Sequence, residues 1–150
     1  MRKAKPPRLA VGAVLYRTNG EHEIQIALIK KQGGAWTLPK GHVKAHETEP
    51  DALHRELVEE IGVDGTIMIV IHEVDYDIIK RDQPRHKVVR YYLVRAHGDK
   101  LRPNRQEQIR HARWFSPPEA LRRIQNDRVR DMVERAIVRL HHPEPLQQYV

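Results

Sequence analysis

Between Gly41 and Val63 the chain reads GHVKAHETEPDALHRELVEEIGV, and no other stretch restricts the fold as tightly. Thr48 can cap a helix, Asp51 stands three residues on as in a capping box, Pro50 falls in the first turn, and Gly62 is a natural stop. One helix behind a short loop is therefore expected. At about 100° per residue, Glu56, Glu59 and Glu60 fall within a sector of roughly 100°, so three carboxylates share one face. Like charges so spaced repel, and cations compensate them: the neighbouring Arg55, or a bound metal. A hard divalent ion such as Mg²⁺ prefers oxygen ligands, so a carboxylate face suits it better than it suits zinc. A bound ion would in turn recruit phosphate, which is how an acidic face can serve an anionic substrate.

The flanking sequence reads as strands around this helix. RLAVGAVLYR and EIQIALIKK are apolar, β-branched runs, and the Asn19-Gly20 pair between them suits a tight turn with positive φ. GGAWTLPKG reads as loop with a short extended piece at Thr37 and Leu38, because Pro39 biases its predecessor away from helix. GTIMIVIHEV and HKVVRYYLVRA read as strands joined by a polar connection, KRDQPRH, and ARWFS as a further short strand. SPPEALRRI opens a helix with Ser116 as cap. A last amphipathic helix spans about Asp127 to Leu140. At 150 residues this is one α/β domain over 1–150, with short flexible tails at about 1–7 and 141–150.

Against this acidic helix the whole chain carries a net charge of +7, which points to a polyanionic partner: a phosphorylated metabolite, a nucleic acid or an acidic surface. No apolar run approaches the roughly 20 residues of a membrane helix, and MRKAKPPRLA lacks the apolar centre of a secretory signal. The expectation is a cytoplasmic protein with no membrane partner. The absence of cysteine excludes disulfides and thiolate metal sites.

Gly41, Glu47, Arg55, Glu56, Leu57, Glu59, Glu60, Gly62 and Val63 fall at every specified position of the Nudix box, a match expected by chance on the order of once in a million such chains. The chain thus resembles the Nudix hydrolases. The resemblance implies an α/β/α sandwich around a mixed β-sheet and a pyrophosphohydrolase acting on a nucleoside diphosphate linked to X. It implies Mg²⁺ or Mn²⁺ held by Glu56, Glu60 and Glu59 with the Gly41 carbonyl, Arg55 fixing Glu47 and the loop, and Glu107 as a further ligand or as base for the attacking water. WTLPKGH and KVVRYYL look like the dinucleoside polyphosphate and diphosphoinositol polyphosphate hydrolases of the family. In that comparison Lys40 and Lys87, with His42 and Arg90, contact phosphates, and a tyrosine among Tyr76, Tyr91 and Tyr92 stacks on a base. Diadenosine polyphosphates are the expected substrate, and homodimers occur in the family.

Two departures stand out: His46 replaces the glycine usual before the first box glutamate, and His54 occupies a commonly apolar position. Rival readings are a zinc site from His42, His46 and His54, and a nucleic-acid-binding module using Arg128, Arg135 and Arg139. A third joins surface and chemistry in hydrolysis of an RNA 5′ triphosphate or cap.

Overall fold

The computed structural model describes residues 8–142. In chain order its elements are β1 (Arg8–Thr18), β2 (Ile24–Lys31), β3 (Trp36–Thr37), β4 (Lys40–His42), α1 (Glu49–Ile61), β5 (Gly65–Lys80), β6 (Gln83–Ala96), β7 (Ile109–Phe115), α2 (Pro117–Arg123) and α3 (Asp127–His141). A 3₁₀ turn at Arg105–Glu107 precedes β7. The tail expected at 1–7 lies outside the described residues; of the one expected at 141–150 only His141, which ends α3, and His142 are described.

All seven strands belong to one mixed sheet. β1 is central and buried on both faces, which is why it reads as a near-continuous apolar run. It pairs parallel with β6 from Arg8↔Lys87 to Tyr16↔Arg95, and β6 pairs antiparallel with β5. β1 and β2 pair only at Tyr16–Thr18 before they splay apart. β3 and β4 fill the resulting gap, β4 on Ala10–Gly12 of β1 and β3 on Ile29–Lys30 of β2. β7 closes the far side of β2.

Strand alternation sorts the core into two layers. Val11, Ala13, Leu15, Tyr92 and Val94 pack under α1 through Leu53, Leu57 and Ile61. Ala10, Val14, Leu28, Tyr91 and Leu93 pack under α2 and α3 through Ala120, Met132, Val133 and Ala136. The result is the expected α/β/α sandwich.

Local signals placed α1 correctly: Thr48 and Asp51 form the reciprocal capping box, and Gly62 ends the helix at φ 69°. Two turns depart from expectation. Between β1 and β2 the positive φ falls on His22 rather than on Asn19 or Gly20, because the Asn19 side chain accepts from the N–H groups of Glu21 and Glu23 and builds a longer loop. The polar segment KRDQPRH is mostly strand, and its turn is Arg81–Asp82, both at positive φ without glycine. β5 and β6 thus form one long hairpin arm whose far half extends Glu73, Asp75 and Asp77 on one face and Tyr76, Lys80 and Lys87 on the other.

Candidate active site

Burial of Ala52, Leu53, Leu57 and Ile61 turns the opposite flank of α1 toward β4. There Glu56 lies so close to Gly41 that any side chain at 41 would overlap its carboxyl group. Glu60 is 3% exposed and accepts from the Lys40 backbone N–H at 3.1 Å. Burial pushes the Glu60 carboxyl up to about 8; Lys31 opposes that and the adjacent Glu56 adds to it. The second Glu60 oxygen, Oε2, is buried with no hydrogen-bond partner.

Arg55 ties the surrounding loop together. Its Nε and Nη2 donate to Glu47 at 2.7 and 2.9 Å, its Nη2 also to the His42 carbonyl at 3.0 Å, and its Nη1 to Glu56 at 2.8 Å and Glu59 at 3.2 Å. These bonds hold the Glu47 carboxyl well down, at about 2. Arg55→Lys keeps the charge but loses the fork, so turnover is expected to fall by about 10- to 100-fold with the circular dichroism spectrum unchanged. A wild-type rate in that variant would remove Arg55 from positioning the loop. His46 takes φ 71°, the conformation that a glycine would adopt most freely.

The acids do not act as one group. Glu56 and Glu60 face each other, whereas Glu59 is drawn onto Arg55 with 41% of its side chain exposed. Among the described residues no three His, Asp or Glu side chains are arranged to hold a metal ion. The donor chemistry nevertheless fits a hard divalent cation: two facing carboxylates, one with an orphaned buried oxygen, beside the backbone of Gly41. An ion that keeps several of its waters needs only such a partial set. The three histidines of the zinc reading stand apart in role: His54 bonds Asp64 at 2.6 Å, His46 is exposed, and His42 has a buried Nδ1 with no partner.

Beside the carboxylates stand the cations. Burial lowers Lys40 below its ordinary range, with Lys31 and Arg128 adding repulsion, and burial with Lys40 nearby does the same to Lys87. Burial together with Arg8, Lys87 and Lys40 depresses His42 to about 4, so it is neutral at pH 7. Tyr76 pairs with Lys87 across the arm, and Arg128 of α3 lies 3.9 Å over its ring. None of Arg8, Lys31, Lys40, Lys80, Lys87 and Arg128 has a carboxylate within ion-pair distance among the described residues.

Arg90 and Tyr92 do not join this group. They fall on the opposite face of β6, where Arg90 bonds Glu49 at 2.6 Å and Glu73 at 2.7 Å and the Tyr92 hydroxyl donates to Glu49 at 2.9 Å. They line a groove of about 1220 Å³ with Leu9, Val43, Ile67 and Val70. Glu107 is exposed at the end of the 3₁₀ turn. That turn is held to the end of α1 by Asn104, whose side chain donates to the Glu59 carbonyl at 2.8 Å and whose N–H donates to the Glu60 carbonyl at 3.0 Å. Sequence reasoning missed Asn104, Arg8 and Lys80, which carry no motif. The three-arginine stripe on α3 dissolves: Arg128 turns to Tyr76, while Arg135 pairs with Asp131 at 3.0 Å.

The NUDIX domain family profile matches residues 6–136. The chain is 31% identical over 114 residues to an RNA pyrophosphohydrolase of Campylobacter jejuni subsp. doylei, a match covering 69% of this chain and 73% of that protein. It is 29% identical over 146 residues to an 8-oxo-(d)GTP phosphatase of Mycolicibacterium smegmatis, covering 91% of this chain. The chain spans less than half the length of some of these curated relatives, 44% in the latter case. Among solved structures, the Ap4A hydrolase of C. elegans superposes with a TM-score of 0.71 at 22% identity, covering 89% of this chain and 97% of that one.

Proposed function

Because this chain belongs to the Nudix family, we propose that it is a divalent-metal-dependent pyrophosphohydrolase for a nucleoside diphosphate linked to X, with diadenosine polyphosphates as its substrates. The observation that carries the reading is the apposition of buried Glu60 and half-buried Glu56 with a cluster of cations that are unpaired among the described residues, Lys31, Lys40, Lys87, Arg8, Lys80 and Arg128. A site for a short phosphate chain needs few such charges; this cluster suits a long polyphosphate.

Glu56 and Glu60 would hold Mg²⁺ or Mn²⁺ with the Gly41 carbonyl, Glu59 contributing directly or through water. When bound, such an ion offsets negative charge on the phosphates and lowers the pKa of a coordinated water. The chain's own groups do the rest. Lys40 and Lys87 grip phosphate oxygens as ammonium donors, neutral His42 adds a hydrogen bond, and Tyr76 offers a ring to a base. Glu107 is the proposed base; in Glu107→Gln the acid limb of the pH-rate profile should change, and an identical profile would remove it from that role.

A product-resolved hydrolysis panel tests the proposal: diadenosine tetraphosphate and hexaphosphate, ADP-ribose, an oxidised deoxynucleoside triphosphate, diphosphoinositol polyphosphate and a 5′-triphosphate RNA. Release of ATP from diadenosine tetraphosphate is expected. Lys40→Ala and Lys87→Ala should each raise KM about tenfold on that substrate. Unchanged KM and kcat on every polyphosphate would end the clamp assignment. Dominant activity on the RNA would instead select hydrolysis of an RNA 5′ triphosphate, the reading that the Campylobacter relative favours.

A further inference from the structure

We propose that the outer surface of β3, β2 and β7 binds a single-stranded polynucleotide on a platform formed by Trp36, Lys30, His111 and Arg113. The inference holds whichever phosphorylated compound the catalytic site hydrolyses. Trp36 is in register with Lys30, and Lys30 with His111, so the three form one row across adjacent strands. Arg113 stands two residues further along β7 on the same face. Two cationic groups and an imidazole converge on one ring: Lys30 Nζ lies 5.9 Å, the Arg113 guanidinium 6.0 Å and the His111 ring 6.1 Å from the Trp36 centroid.

Such a gathering is repulsive unless something neutralises it. No described carboxylate lies within ion-pair distance of Lys30, His111 or Arg113, whereas the nearby Arg122 and Arg123 are both paired with Glu119. His111 and Arg113 are exposed, and Trp36 is held from beneath by an edge-to-face contact with Phe115 at 5.0 Å. A fixed aromatic ring on a sheet face, bordered by unpaired cations, is what stacked bases and their phosphates require. The row continues at its β7 end, where Arg105, Gln108 and Arg110 line a hollow of about 220 Å³ that His111 shares. An extended anion with planar bases fits this sequence of groups better than a compact metabolite does.

The test uses the full chain carrying Trp114→Phe, which leaves Trp36 as the sole tryptophan reporter. RNA and DNA oligomers of about eight nucleotides, within the usual footprint of a single-strand platform, are titrated at low salt. Either polymer is expected to quench or shift Trp36 emission, and the tighter one identifies the natural backbone. Lys30→Glu and Arg113→Glu, which leave the packing of Trp36 intact, should each weaken binding at least tenfold. Neutralising both positions should flatten the salt dependence of log K by about 1.4. The proposal is overturned by absence of binding to either oligomer, by binding with Trp36 emission unchanged, by charge variants of wild-type affinity, or by inorganic polyphosphate producing the same affinity and quench as the oligomers.

Discussion

Glu60→Gln is expected to lower metal-dependent turnover by at least a hundredfold while leaving the metal-free protein as stable as the parent, or more so. The loss follows from removing a proposed metal ligand at the one site, among the described residues, where a buried carboxylate oxygen has no protein partner. The stability follows from the same burial. The Glu60 carboxyl titrates near 8 when folded, well above its ordinary 4.5, so the folded state holds that proton more tightly than the unfolded chain does. The contribution is fully present below about pH 4.5 and is lost as pH rises through 8. A glutamine keeps an oxygen for the Lys40 N–H and has nothing to ionise. In chelator, melting curves of parent and variant should therefore diverge between about pH 5 and pH 9, with the variant gaining. Turnover within threefold of the parent, or a variant that melts lower throughout, would show that Glu60 is a structural acid.

Gly41→Ala should be nearly as damaging to catalysis by a different route. The backbone there does not use positive φ, so alanine fits the chain. Its methyl group, however, would occupy the space of the Glu56 carboxyl. A flexible side chain can swing away at small expense, so stability should fall by less than about 1 kcal/mol, or roughly 2–4 °C of melting temperature. Catalysis has no such freedom, because a ligand displaced by an ångström is misplaced for the ion, and a loss of about a hundredfold in kcat is expected. Gly65→Ala provides the contrast. There the new methyl would meet the Arg95 backbone carbonyl, which cannot move aside, and a stability loss of about 1–3 kcal/mol is expected. A Gly41→Ala enzyme with parental kcat would mean that Glu56 is not a ligand where it stands.

What the sequence revealed of this arrangement depended on the range of the signal. Thr48, Asp51, Pro50 and Gly62 act on their own few residues, so the box helix could be read in full. The pairing of Arg55 with Glu47 came from the family pattern and is present in the expected form. The turns failed where a side chain competed for the backbone, as Asn19 does, or where Arg81 and Asp82 accepted positive φ without a glycine to mark it. Grouping Lys87 with Arg90 and Tyr92 ignored parity. Residues an odd number apart in a strand point to opposite faces, and only pairing with β1 and β5 shows which face the cleft uses. Lys40 and Lys87 are far apart in the chain and become neighbours through that pairing, and Arg128 joins them where α3 lies over Tyr76.

The parallel seam of β1 and β6 joins residue 8 to residue 87, one of the two long loops that the sheet closes, the other being that of β2 with β7. Lys40 reaches the cleft from β4 on one side of this seam, and Lys87 from β6 on the other. Closing so long a loop is the entropically slow event in folding, whereas the local hairpins can form beforehand. A polyphosphate that bridged both lysines would therefore act as a staple across a late contact, lengthening the lifetime of the assembled protein more than it hastens assembly.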